Sequence, residues 1–169
     1  MKIGILSDTH GDVERTALAA RILKHHGATV VVHCGDIGSE GVLTELSSQL
    51  GLAGIPVHAV LGNVDTPELA RFPASAGVNV QTRMAEIESD GKRIAVIHGD
   101  DIMRLKDAVV SGQYNYVLTG HTHLRSDTRI GTTRIINPGA LHQAYPPSVA
   151  VLDVETGELM SLVVNSSSP

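Results

Sequence analysis

Short apolar runs punctuate this chain, and through its first two thirds they alternate with segments of helical periodicity. Residues 2–6, 29–33, 57–61, 94–97 and 116–118 are rich in Val, Ile and Leu, several with apolar side chains at nearly every position. Such runs predict strands covered on both faces. Between them, residues 12–26 carry Leu18, Ile22 and Leu23 at helical spacing, and Gly27 stands where that helix should stop. Ser39 is placed to cap a second helix with Val42, Leu46 and Leu50 on one stripe. A third should start near Asp101, turn Leu105, Ala108 and Val109 inward, and end at Gly112. A shorter helical segment is expected at 66–72, opened by Pro67. After His123 the pattern changes to strands at 128–130, 134–136, 149–154 and 159–164, broken at Gly131, Pro138 and Gly139, Pro146 and Pro147, and Gly157. The expectation is βαβ units followed by a meander, in a mixed sheet pair flanked by helices.

Length and composition refine this picture. The 169 residues suit one domain, taken as 1–165, with a serine-rich tail at 166–169 expected to be disordered. One Phe, three Tyr and no Trp leave the core to aliphatic side chains and make base stacking an improbable binding mode. Cys34 is the single cysteine, so no internal disulfide can form. No segment resembles a signal peptide or a membrane span, which makes the cytoplasm the expected compartment and a membrane partner unexpected. The net charge of −5 argues against a nucleic-acid partner. Two bound divalent ions would add about +4 and make one face locally positive.

The candidate chemistry lies in five glycine-marked blocks, each directly after an apolar run. They contain Asp8 and His10, Asp36, Asn63, His98, and His121 with His123. Taken singly, each residue is an ordinary cap, turn or core imidazole. Together, at the carboxyl ends of successive strands, they form a set of carboxylate, amide and imidazole donors suited to a pair of divalent metals. Manganese is the foremost expectation, with nickel, iron, zinc or magnesium as alternatives. Asp8 and His10 are two apart, so in extended chain they would share a face. Asp36, with two oxygens, suits a bridge. Asn63 adds a neutral oxygen and limits the buried negative charge. Two ions about 3.5–4 Å apart can lower the pKa of a bridging water and hold phosphoryl oxygens, which suggests phosphoester hydrolysis without a protein nucleophile.

In order, SDTHG, VVHCGD, AVLGNVD, VIHGD, TGHTH and INPGA resemble the motif series of calcineurin-like metallophosphoesterases, in their small single-domain prokaryotic branch. The resemblance runs from Met1 to about Val154. It implies an α/β fold, a four-layer α/β/β/α sandwich with two mixed β-sheets flanked by helices. It also implies Asp8, His10 and His123 on one ion, Asn63, His98 and His121 on the other, and Asp36 between them. Asp36, Asn63 and His98 would then be the catalytic residues, acting with a metal-bridging hydroxide on a small-molecule phosphoester.

Two positions depart from that pattern. Val64 stands where monoester-cleaving relatives have a histidine that protonates the leaving group. A phosphodiesterase is therefore the leading reading, with a monoesterase for activated leaving groups as an alternative. Asp100 stands where relatives often carry a second histidine, and is expected, with Asp65, to support the ligands from behind. His142, after the Asn-Pro-Gly turn, is a candidate substrate contact, as is Asn63. His25, His26, His33 and His58 read as structural histidines. Some relatives of this fold act as trafficking scaffolds after losing ligands; this chain keeps all seven. Edge strands in the C-terminal part leave a homo-oligomer open.

Overall fold

The computed structural model describes residues 1–165, and the tail expected at 166–169 lies outside them. Its strands are β1 (Lys2–Leu6), β2 (Val30–His33), β3 (Val57–Val60), β4 (Val78–Gln81), β5 (Met84–Ser89), β6 (Lys92–Ile97), β7 (Tyr116–Leu118), β8 (Ser126–Ile130), β9 (Thr133–Asn137), β10 (Ser148–Asp153) and β11 (Leu159–Val163). The helices are α1 (Val13–His25), α2 (Glu40–Gln49) and α3 (Ile102–Val110), and the 66–72 segment is a 3₁₀ turn at Pro67–Arg71. Six strands form one sheet in the order β11-β10-β1-β2-β3-β4, and five form another in the order β5-β6-β7-β9-β8. Both sheets are mixed.

The alternation of side chains along each strand builds the layers. Ile3, Ile5, Val30 and Val32 point from the first sheet toward Ile94, Val96, Tyr116 and Leu118 of the second, making the central core. Leu6 and Val31, on the other face, pack against Ala19, Leu23, Val42 and Leu46 of α1 and α2. Ala95, Ile97 and Val117 do the same toward Ala108 and Val109 of α3. Three aliphatic interfaces thus separate four layers, the expected α/β/β/α sandwich.

Local signals set the helix ends. Asp12 caps α1 by accepting from the Arg15 amide, Asp101 caps α3 by accepting from Arg104, and the residue after α1, His26, is followed by Gly27 at φ 82°. Ser39 occupies the N-cap position of α2 without a side-chain capping bond, contrary to expectation. The expected C-terminal meander also gives way to a split. The β8–β9 hairpin joins the second sheet, with β9 parallel to β7, whereas β10 and β11 return to the first, with β10 antiparallel to β1. β10 is buried along nearly its whole length, with Val149 and Val151 in the core under α1 and α2 and Ala150 and Leu152 in the core between the sheets. Among the described residues, no helix is long and apolar enough to cross a membrane.

Candidate metal centre

Five loops converge at the carboxyl ends of β1, β2, β3, β6 and β7, and backbone bonds lace them together. The amides of Asp8, His10 and Gly11 donate to the carbonyls of Gly35, Asp36 and Ile37, so the first two loops run side by side. Gly120 donates to the His98 carbonyl, and His142 to the Asp8 carbonyl, 2.9 Å away. Gly62 and Gly120 are required for this closeness. A Cβ on Gly62 would collide with the Asp36 carboxylate and amide, and one on Gly120 with the Ser7 hydroxyl.

The candidate ligands fall into two overlapping clusters. Asp8, His10 and His123 offer donor atoms within 4.8 Å of one another, and so do Asp8, Asp36 and His98. The Asp36 carboxylate lies between imidazoles, with Oδ2 3.5 Å from His10 Nε2 and Oδ1 3.3 Å from His98 Nε2. His123 Nε2 is 3.3 Å from Asp8 Oδ1. Asn63 Oδ1 is 3.1 Å from His98 Nε2, and the His121 ring is 5.1 Å from that of His98. The bend in GHTH therefore sends His121 to the His98 side and His123 to the Asp8 side.

The expected extended geometry for Asp8 and His10 is not found. Asp8, His10, Asp36, His121 and His123 all adopt a positive φ, between 46° and 67°. This conformation is strained for residues with a Cβ, and it bends the chain at each of these ligands in place of an extended path.

The chemistry of the donor set fits divalent metal. His10 Nε2 is buried with no hydrogen-bond partner, an orphaned ring nitrogen 3.5 Å from the Asp36 carboxylate. Burial pushes the Asp8 carboxyl up from its ordinary value, more than the Ser7 hydroxyl and the imidazoles of His98 and His123 lower it. Burial also acts on Asp36, but the His98 bond and charge, the Val64 amide and His10 outweigh it and hold that carboxyl low. His98 is raised, its burial being overcome by Asp36. Cys34 is buried, and burial together with Asp8 pushes its thiol well up, which leaves it inert as a nucleophile.

Asp65 joins the loops that carry the candidate ligands. Its carboxylate accepts from the amides of Ile37, Gly38 and Gly62 at 2.7–3.0 Å, pinning the loop after β2 to the loop after β3. Asp100 does not support His98. It is exposed, and the Cys34 carbonyl takes His98 Nδ1 at 2.8 Å instead, because β2 ends directly beneath that ring. His142 lies beside the centre, its ring 4.9 Å from that of His10.

Sequence reasoning missed several supports. Buried Asn137 donates to the Gly120 carbonyl at 2.7 Å and accepts from Gly139, locking the Asn-Pro-Gly turn to the GHTH loop. Its place in INPGA was the available signal. Thr9 is another support, donating to the Ile37 carbonyl and meeting at 2.9 Å the Nε2 of His33, the structural histidine read from the sequence, whose Nδ1 accepts from the Gly35 amide. Arg15 reaches the Leu141 carbonyl at 2.9 Å.

Comparison with known proteins agrees with this geometry. The chain is 29% identical over 169 residues to a phosphodiesterase of Methanocaldococcus jannaschii, covering 97% of this chain and 99% of that one. It is 28% identical over 177 residues to a probable metallophosphoesterase of Methanothermobacter thermautotrophicus, covering 100% and 95%. Its fold superimposes on that of an archaeal phosphodiesterase with a TM-score of 0.86 at 30% identity, covering 96% and 99%. Residues 1–157 match the sequence model of the calcineurin-like phosphoesterase superfamily domain. A metal-dependent phosphoesterase is what that match and the buried donor set have in common, and the chain belongs to the calcineurin-like phosphoesterase superfamily.

Proposed function

We propose that the protein is a phosphodiesterase working with two divalent ions, manganese foremost, with nickel, iron, zinc or magnesium as alternatives. The observation that carries this reading is the Asp36 carboxylate, whose two oxygens face separate imidazoles on either side of the centre. Asp8, His10 and His123 would hold one ion, Asn63, His98 and His121 the other, and Asp36 both. Such a pair supplies a water activated near neutral pH and positive charge for phosphoryl oxygens.

The protein's own residues then divide the work. Cys34 holds the His98 ring by its Nδ1, so Nε2 faces the centre. Asn63 contributes a neutral oxygen, and its amide N–H group is a donor for a phosphoryl oxygen. His142, beside His10, offers a further donor at the opposite edge. Val64 is 47% exposed next to Asn63 and has no proton to give, while its amide is spent on Asp36 Oδ1. A missing general acid slows departure of a poor leaving group by about 10²–10⁴-fold. Esters with good leaving groups, and diesters among them, are the substrates this centre suits. The phosphodiesterase relative from Methanocaldococcus jannaschii supports the same choice.

The test is reconstitution. Apoprotein loaded with each metal should bind two ions per chain and cleave an aryl phosphodiester at least about 10²-fold faster than an alkyl monoester. Asp36→Ala should abolish that turnover. Full activity in Asp36→Ala, or equal rates on the two esters, overturns the proposal.

A further inference from the structure

A cleft of about 370 Å³ opens directly beside the metal centre, between the loop after β3, the β4–β5 turn and the start of α3. Asn63 belongs to both, since it lines the cleft while its Oδ1 contacts His98. That volume lies in the range of about 300–1,000 Å³ typical of small-molecule sites. A substrate whose phosphorus sits at Asn63 has room here for the group attached to it.

The charged groups of the cleft are not equally available. Arg104 and Asp101 are committed to each other at 3.4 Å, and Asp101 also caps α3. The Asp65 carboxylate is consumed by three backbone amides. Arg83 and Asp100 remain, and neither has a hydrogen bond or ion pair among the described residues, although the charge of Arg83 reaches Asp101. A free carboxylate disfavours a second phosphate at this spot. It suits a vicinal pair of hydroxyls, which can donate to its two oxygens as ribose does to an acidic residue. The guanidinium provides the complementary donors for a carbonyl or ring oxygen. Leu61, Pro67 and Ile97 give the cleft aliphatic walls. A second hollow of about 430 Å³, which shares Asp101 and Arg104 with the cleft, extends to Tyr114.

We propose that this cleft binds the ribosyl group of a nucleotide phosphodiester, with Asp100 accepting from the ribose hydroxyls and Arg83 donating to the attached group. The proposal rests on the phosphodiesterase reading and assigns to Asp100 the task that support of His98 does not fill.

The test uses the manganese-loaded enzyme and three p-nitrophenyl esters with one shared leaving group, those of uridine 5′-phosphate, deoxyuridine 5′-phosphate and methyl phosphate. In the wild type, kcat/KM should favour the uridine ester over the deoxyuridine ester by about tenfold, the loss expected for one hydrogen bond to a charged group. Asp100→Asn should collapse that ratio toward one. Arg83→Ala should lower both nucleotide esters relative to the methyl ester by about tenfold, mainly through KM. Ratios that are flat in the wild type, or unmoved by either variant while the methyl ester is cleaved, overturn the cleft assignment alone. No turnover of any ester overturns the phosphodiesterase reading. The cleft is then judged by equilibrium binding of uridine 5′-monophosphate, where about tenfold weakening by Asp100→Asn upholds it and unchanged affinity overturns it.

Discussion

His33 shows how much of this centre rests on single buried side chains. Burial pushes its pKa from 6.5 down to about 3, and Gly35 and Thr9 occupy its two ring nitrogens. The unfolded chain takes up a proton near 6.5 that the folded one refuses until about 3. The neutral ring therefore costs nothing above 6.5 and erodes stability as pH falls toward about 3, at roughly 1.4 kcal/mol per pH unit. Denaturant melts of the metal-free protein between pH 6.5 and 4 should show a shallower decline for His33→Gln than for the wild type, and equal slopes would refute the assignment. The identity of the candidate ligands was legible residue by residue, because Asp, Asn and His beside glycine after apolar runs is a pattern of side chains. The left-handed backbone at Asp8, His10, Asp36, His121 and His123 was not. That conformation costs a non-glycine residue about 1–2 kcal/mol and persists only where surrounding bonds impose it.

At the scale of elements, the buried strands were readable, as were the edge strands β8 and β11, whereas the edge strands β4 and β5 were not. β1, β2, β3, β6 and β7 are aliphatic runs covered on two sides. β4 and β5 escaped notice because polar residues such as Asn79, Glu86 and Glu88 break up their short apolar runs. A local signal did exist. Asp90 and Gly91, both at positive φ, form the two-residue turn that pairs Ser89 with Lys92 and brings β5 back against β6. Loops are tied to one another by side chains far apart in sequence, as Asp65 ties the ends of β2 and β3. Asp65→Ala would leave three amides without their acceptor and free both loops. Metal titration should show affinity weakened by about 10–100-fold, the usual effect of losing a supporting residue. Affinity within twofold of wild type would show that the loops hold without it.

At the scale of the molecule, two sheets face each other and the centre sits at one end of their shared core, so assembling the site and closing the core are one event. Asp8, Asp36 and His98 are all nearly inaccessible, yet two of the three are carboxylates close together. Their mutual repulsion in the metal-free protein should be relieved by bound ions, and any ligand held at about 100 times its dissociation constant stabilises the folded state by about 2.7 kcal/mol. Chelation should therefore lower Tm by about 5–10 °C, measured by calorimetry before and after metal is restored. An unchanged Tm would mean that the ions do not bind the folded protein tightly. By itself the sequence determined a sheet pair flanked by helices and the candidate donor set, because strand alternation, helical stripes and residue chemistry are local properties. Only the tertiary structure decided which oxygen of Asp36 faces which imidazole, that Cys34 rather than Asp100 holds His98, and where β8 to β11 go. Those outcomes depend on contacts between segments far apart in sequence, and such contacts are chosen by packing the whole chain.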